Sequence, residues 1–331
     1  MSERHHNLSF AESTMHILSP YELKKPLLQK NTTLILIHPP KTAGTNLSFY
    51  MTALSKINTD FNVKRLAVPR VTNQSPNLIY QDWKGGLKGA EDILSKNPNA
   101  LNDFSFLSGH MPVGLDSMMN APCKYIGLVR DPVQREISSL NFDYQRAYIS
   151  KEEASEYLKL TMIDNPQTRM FAGPAHFQGD CTEKTLERAI ENIENNFLFI
   201  APAFASFEAV QTLAAIYNQG AVALSKSQVT GIKLIETPSD ELHGFLSKKH
   251  SLDVKLYEYV KTYWNNWKNE NVSGTVELQN TDSVLALTPQ FATTKEPEIM
   301  TVNAIQDYNH RTKDQLLVAV SQQSDVKLIH P

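Results

Sequence analysis

Residues 33–49 read TLILIHPPKTAGTNLSF, and this order predicts a strand, a tight loop and the start of a helix. The apolar run 34–37 is typical of a buried strand. The loop after it contains Lys41 and Gly44, and an amphipathic segment begins at Asn46. Because the first turn of a helix presents unpaired backbone N–H groups and a partial positive charge, this arrangement favours binding of an anionic group.

The side chains of the loop also suit an oxyanion. Lys41 supplies a mobile positive charge, Thr42 and Thr45 supply hydroxyl donors, and Gly44 permits close backbone approach. In the phosphate loop of nucleotide triphosphatases the lysine follows the second glycine, and a metal-binding Ser or Thr comes next. Here the lysine precedes the glycine and the first glycine position is not filled, which argues against an ATP or GTP loop. The alternative is a strand–turn–helix with an incidental lysine.

Residues 124–141, KYIGLVRDPVQREISSLN, predict a second strand followed by a helix. Asp131 suits the helix cap and Pro132 the first helical turn. Arg130 is then expected at the carboxyl end of the strand and Ser138 about two turns into the helix. An arginine can hold a phosphate through two parallel hydrogen bonds, and a serine hydroxyl can add another. The alternative is that Arg130 pairs with a carboxylate.

The order PKTAGT resembles the 5′-phosphosulfate loop of sulfotransferases that use 3′-phosphoadenosine 5′-phosphosulfate (PAPS), and R-D-P-x-x-R-x-x-S resembles their 3′-phosphate motif. Other stretches resemble the branch that includes heparan sulfate 2-O-sulfotransferases and related bacterial proteins. These stretches are residues 108–110 (SGH), 165–169 (NPQTR), 197–217 and 252–257. The resemblance covers roughly residues 31–268, in the family's order.

This resemblance implies that PAPS is the sulfuryl donor and that adenosine 3′,5′-bisphosphate (PAP) is the product. It implies that Arg130 and Ser138 hold the 3′-phosphate, that Lys41 stabilises the leaving 5′-phosphate, and that His110 is the general base. The ordinary pKa of histidine suits a base near neutral pH. The alternative for His110 is a structural histidine that hydrogen-bonds a loop. The donor-binding set is Lys41, Thr42, Ala43, Gly44, Thr45, Asn46, Arg130 and Ser138.

The expected acceptor carries a hydroxyl group and is a glycan or a small molecule. Asn165, Gln167 and Arg169 either contact the acceptor or the nucleotide, or fix a turn. Trp83 lies in the basic stretch 61–90, where it either stacks on a sugar or base or belongs to the core. We expect no metal ion, because no Asp/Glu pair follows a predicted strand in the way that suggests Mg²⁺ ligation.

Two positions depart from the pattern of the resembled family. Pro39 stands where the family usually has an aliphatic residue, and it removes one backbone N–H from the loop. Residues 201–204 (APAF) replace a more polar segment that commonly contains an acidic residue. Any role of that polar segment is therefore not carried over to this chain.

The alternation of strands and helices between residues 33 and 224 predicts an α/β fold: a P-loop-like, doubly wound, mostly parallel sheet flanked by helices. Ligands of such sheets lie beyond the carboxyl ends of the strands. The expected organisation is a flexible N-terminal arm (1–30), a sulfotransferase domain (31–270) and a C-terminal extension of unknown role (271–331).

The composition sets wider limits. The chain has 331 residues, 41% of them hydrophobic, which is enough for a large core, and a net charge of −3 gives no reason to expect nucleic acid. Cys123 and Cys181 have no disulfide or metal-ligand spacing. We expect no membrane span, and either a cytoplasmic, bacterial location or export without a cleaved signal. The alternative functions are a P-loop kinase or NTPase-like phosphotransferase and a non-catalytic interaction protein that keeps the PAP/PAPS fold.

Overall fold

The computed structural model describes residues 15–58, 60–66, 84–154, 158, 163–224, 233–287, 298–307 and 309. Its strands are β1 (His16–Leu18), β2 (Tyr21–Leu23), β3 (Thr33–Ile37), β4 (Val63–Arg65), β5 (Phe106–Gly109), β6 (Cys123–Val129), β7 (Phe197–Pro202), β8 (Ala221–Leu224), β9 (Val272–Thr275), β10 (Ser283–Leu287) and β11 (Glu298–Thr301). Its helices are α1 (Gly44–Ile57), α2 (Lys84–Leu94), α3 (Pro132–Gln145), α4 (Pro166–Ala172), α5 (Glu183–Asn196), α6 (Ser206–Ile216), α7 (Asp240–Lys249) and α8 (Ser251–Asn271).

The central sheet has five strands in the order β4-β5-β3-β6-β7. Every neighbouring pair in it is parallel, and the last residue of β3, Ile37, pairs with Gly109 of β5 and Gly127 of β6. The predicted α/β class, with a parallel sheet flanked by helices, is confirmed. The predicted cap of α3 also forms, because the Asp131 side chain accepts a hydrogen bond from the backbone N–H of Gln134 at 2.8 Å.

Both faces of the sheet are buried, which explains why β3 is apolar at every position after Thr33. Leu34 and Leu36 pack into one core with α1 and α6, whereas Ile35 and Ile37 pack into a second core with α2, α4 and α5. Alternate side chains of a strand point to opposite faces, so one short run serves both cores. The sheet is therefore doubly wound.

Helix α8 passes along the edge of the sheet and joins the two cores. Leu256 and Val260 belong to one core, while Trp264 and Trp267, farther along the helix, belong to the other. The two tryptophan rings stack with centroids 5.3 Å apart. This packing fixes the amino-terminal end of α8 beside α4, which matters for the site described below.

The connections leave the centre of the sheet in opposite directions. From β3 the chain passes through α1 to β4, which is at one edge of the sheet. From β6 it passes through α3, α4 and α5 to β7, which is at the opposite edge. Parallel sheets bind ligands at such a point, in the crevice beyond the carboxyl ends of the two strands. The loop after β3 and the residue after β6 face this crevice.

The remaining strands form two smaller sheets, β1-β8-β10-β11 and β2-β9. Two strands, β1 and β2, thus lie within the predicted N-terminal arm and pair with β8 and β9. Within the predicted C-terminal extension, β10 pairs with β8 on one side and with β11 on the other. The boundaries at residues 30 and 270 stay predictions. Among the described residues, no helix has both the length and the apolar composition needed to cross a bilayer.

Candidate functional site

The loop between β3 and α1 is held in an unusual backbone conformation. Lys41 and Ala43 both have positive φ, at 67° and 64°. For residues other than glycine this conformation costs roughly 1–2 kcal/mol each and persists only where the surroundings impose it. The buried hydroxyl of Thr42 helps impose it by donating to the carbonyl of Pro39 at 2.6 Å.

The start of α1 is open to an anion. Ala43 is its cap residue and makes no side-chain capping bond, and the first turn contains no acidic residue. The backbone N–H groups of the first turn therefore keep the partial positive charge of a helix end. Thr45 lies half-buried in this turn, and the Asn46 amide is 3.5 Å from the Ser206 hydroxyl at the start of α6.

Gly44 is required by packing beneath this turn. A Cβ placed on Gly44 would lie 2.2 Å from Cγ of His38, whose ring is buried under the start of α1. Burial lowers the pKa of His38 well below its ordinary value, so the ring is neutral. The glycine thus serves a close contact that the sequence motif alone does not reveal.

We expect Gly44→Ala to destabilise the protein by about 1–3 kcal/mol, the cost of overpacking a filled site. Gly244→Ala is the matched control, because a Cβ there meets nothing within 4 Å. In the exposed interior of α7 that change should stabilise by roughly 0.5–1 kcal/mol. Urea unfolding of both variants measures the difference. Equal stability of the two variants would contradict the packing role assigned to Gly44.

Arg130 joins the two sequence motifs. Its Nη1 donates to the backbone carbonyl of Lys41 at 3.1 Å, across a separation of 89 residues. The side-chain amide of Gln167 holds the Arg130 backbone from the other side, accepting from its N–H at 2.9 Å and donating to its carbonyl at 2.8 Å. Ser138 is half-buried on α3, about two turns from the start of the helix.

Lys41 lies among other cationic groups. Its Nζ is 4.3 Å from the centroid of the Phe142 ring, and the Arg146 guanidinium lies 5.4 Å from the same centroid. Burial, followed by the positive charge of Arg130, lowers the pKa of Lys41 to about 8, although the Asp143 carboxylate acts in the opposite direction. An anion bound here would stabilise the charged form of the lysine.

His110 follows β5 and lies beside His38. Their ring centroids are 4.5 Å apart, and Nδ1 of His110 is 3.1 Å from the backbone carbonyl oxygen of His38. Since a carbonyl only accepts, Nδ1 carries the proton and the lone pair of the neutral ring is on Nε2. Burial lowers the pKa of His110 to about 4, against the opposing effect of the bond to His38, and the charge of Arg65 adds to the lowering.

The side chains of Asn165, Gln167 and Arg169 hydrogen-bond to other groups of the protein. Asn165 accepts from the backbone N–H groups of Leu252 and Asp253 at 2.8 and 3.1 Å, at the start of α8. The guanidinium of Arg169, almost fully buried, bonds to Asp164 and to the carbonyls of residues 176 and 179. These bonds hold the segment against the start of α8 and against residues 176 and 179, and contact with the acceptor or the nucleotide stays a prediction.

Some residues near the site lie outside the sequence motifs and were not predicted from them. Phe142 lies under Lys41, and Arg65, at the end of β4, acts electrostatically on both histidines. Phe204 follows β7 with 71% of its surface exposed, two residues before Ser206. Phe204 belongs to the segment 201–204, which departs from the pattern of the resembled family. Trp83 lies outside the described residues. In the part of the chain that the structure describes, no three His, Cys, Asp or Glu side chains group in a way that could hold a metal.

Neither a protein-family model nor a curated protein sequence matches the chain. A solved structure of retinol dehydratase in a complex with retinol and PAP is similar at 12% identity and a TM-score of 0.30, over 92% of this chain and 85% of that chain. A second, in complex with androsterone and the inactive cofactor PAP, is similar at 11% identity and a TM-score of 0.27, over 75% and 90%. The fold class of this chain is defined by the parallel order of its central sheet.

Proposed function

We propose that this chain is a sulfotransferase that transfers a sulfuryl group from PAPS to a hydroxyl group of an acceptor, a glycan or a small molecule. The observation that carries the proposal is the hydrogen bond between Arg130 Nη1 and the Lys41 carbonyl. It joins the loop that resembles a 5′-phosphosulfate site to the arginine that resembles a 3′-phosphate ligand. PAPS carries anionic groups at both of these positions, whereas ATP has no 3′-phosphate.

The charges and donors of the crevice fit such a donor. The uncapped first turn of α1, without an acidic residue, offers backbone N–H groups to the 5′-phosphosulfate. Lys41 and Arg130 are half-buried, where their charges act more strongly than in open water. Arg130, with Ser138 on α3, would hold the 3′-phosphate through charge-assisted hydrogen bonds.

Bound PAPS would supply the sulfuryl group, which forms a bond to the acceptor oxygen as the bond from sulfur to the 5′-phosphate oxygen breaks. Lys41, in its ammonium form, would stabilise the negative charge that the phosphate oxygen gains on leaving as PAP. His110, neutral with its lone pair on Nε2, would take the proton of the acceptor hydroxyl. The hydrogen bond from Nδ1 to the His38 carbonyl keeps this tautomer.

The first experiment measures thermal unfolding with PAP, AMP and Mg·ATP, each tested separately. PAP at about 100 times its Kd should stabilise the folded protein by about 2.7 kcal/mol. AMP, which lacks the 3′-phosphate, should stabilise less at the same concentration. Stabilisation by Mg·ATP and not by PAP would support the alternative phosphotransferase and would contradict the proposal.

Turnover distinguishes an enzyme from a non-catalytic PAP-binding protein. Purified protein with PAPS, EDTA and a panel of hydroxyl-bearing acceptors should form sulfated product that mass spectrometry detects. Loss of turnover in EDTA that Mg²⁺ restores would contradict transfer without a metal. PAP binding without product on any acceptor of the panel would favour the interaction protein.

A further inference from the structure

We propose that Gln167 is a positioning residue that sets the direction of Arg130 toward the 3′-phosphate of the donor. This role rests on the proposed function. Gln167 is fully buried, and its side-chain amide bonds to both backbone polar groups of Arg130. The side chain of Gln167 therefore reaches a phosphate only through Arg130.

The two hydrogen bonds from Gln167 to Arg130 take the place of the backbone hydrogen bonds that a neighbouring strand would make beyond the end of β6. The last residue of β6, Val129, still pairs with Pro202 of β7, and Arg130 lies one residue beyond it. A buried backbone N–H or carbonyl without a partner is costly, so the amide of Gln167 satisfies two groups at once. Fixing both groups fixes the peptide planes on either side of Arg130 and hence the direction in which its side chain leaves the backbone.

Gln167 lies at the start of α4, and the starts of α4 and α8 cap each other through side-chain hydrogen bonds. The buried carboxylate of Asp253 on α8 accepts from the backbone N–H groups of Gln167 at 3.1 Å and Thr168 at 2.7 Å, at the start of α4. In return, Asn165 accepts from two N–H groups at the start of α8. Capping of this kind satisfies N–H groups that have no partner inside the helix. The start of α4, and with it Gln167, is thereby fixed to α8.

A buried cluster of His250, Glu136 and Arg135 connects the start of α4 to α3. Nδ1 of His250 accepts from the backbone N–H of Asn165 at 3.1 Å, and its Nε2 lies 3.5 Å from Oε1 of Glu136. Glu136 also pairs with Arg135, one residue earlier on α3. Because α3 begins two residues after Arg130, the network supports Arg130 from the helix that follows it as well as from α4.

The test compares the affinities for PAP and AMP, measured by isothermal titration calorimetry on the full chain. Gln167→Met removes both hydrogen bonds and keeps the length of the side chain. We expect it to weaken PAP binding about tenfold, since a misdirected arginine loses a charge-assisted hydrogen bond worth about one such factor. AMP binding, which does not involve the 3′-phosphate, should change less than about twofold.

Asn192→Met is the matched control. Asn192 lies on α5, and its buried side-chain amide donates to the carbonyls of residues 171 and 172. These carbonyls are at the carboxyl end of α4, whereas Gln167 is at the start of that helix. Loss of these hydrogen bonds should lower the stability of α4 and leave the bonds between Gln167 and Arg130 in place. The ratio of PAP to AMP affinity should therefore stay at the wild-type value. A control that changes this ratio as much as Gln167→Met would show that the effect is general loosening of α4, and would overturn the proposal.

A double-mutant cycle with Arg130→Met makes the test specific. If Gln167 acts only through Arg130, the double variant should bind PAP no more weakly than Arg130→Met alone. Additive losses would overturn the positioning role. If Gln167→Met does not fold, Gln167→Asn offers the same comparison, because its shorter amide cannot span both Arg130 groups. A wild-type chain that does not bind PAP would instead overturn the proposed function, and this role of Gln167 with it.

Discussion

Lys41→Met should lower kcat for sulfuryl transfer about 10²–10³-fold, the usual cost of removing one group that stabilises a developing oxyanion. Methionine keeps an apolar stem over the Phe142 ring, which Nζ of Lys41 approaches to 4.3 Å, and removes the charge and its N–H donors. Binding of PAP should weaken less than kcat falls, because the lysine acts most strongly on the charge that appears as the bond to sulfur breaks. Steady-state kinetics on a confirmed acceptor measures both quantities.

The pH dependence gives a second readout for Lys41. Its pKa is lowered to about 8, and the proposed mechanism needs the charged form to stabilise the leaving phosphate. The kcat/KM of the wild-type protein should therefore fall as the pH rises through about 8. Because a bound anion favours the charged lysine, the corresponding fall of kcat should lie at higher pH. Lys184→Met, an exposed change on α5, is the control, and full activity of Lys41→Met would overturn the mechanism.

His110→Asn should lower kcat about 10²–10⁴-fold, the range that general-base help usually contributes. The asparagine amide can still donate to the His38 carbonyl in place of Nδ1, and the change removes Nε2. Donor affinity should be almost unchanged, so the loss should appear in kcat. A pre-steady-state measurement of product formation separates the chemical step from product release.

The acid side of the pH profile tests the same residue. His110 must be neutral to accept a proton, and its pKa is lowered to about 4. Activity should therefore persist well below pH 6.5 and fall only as the pH approaches 4. His243→Asn on the surface of α7 is the control and should leave the profile unchanged. Wild-type turnover in His110→Asn would assign the base to another group.

Much of the local structure was predictable from the sequence because its causes are local. The apolar run 34–37 forms β3, and the cap and first turn predicted at Asp131 and Pro132 begin α3. Hydrophobic period, capping residues and proline act over a few positions, so one stretch of sequence is enough to predict them. The exact bounds of a strand depend on more than the local sequence: residues 104–107 (FSFL) are rich in apolar side chains, whereas β5 is Phe106–Gly109.

The sequence itself determined the two motifs that resemble phosphate-binding sites, their order along the chain, and the placement of Lys41 and Arg130 after strands. Only the tertiary structure decided that β3 and β6 are neighbours, which brings the Arg130 guanidinium to the Lys41 carbonyl. It also decided that Gly44 packs on His38 and that Gln167 holds the backbone of Arg130. The physical reason is that these contacts depend on strand order and on helices meeting across the sheet, which no local preference of the chain specifies.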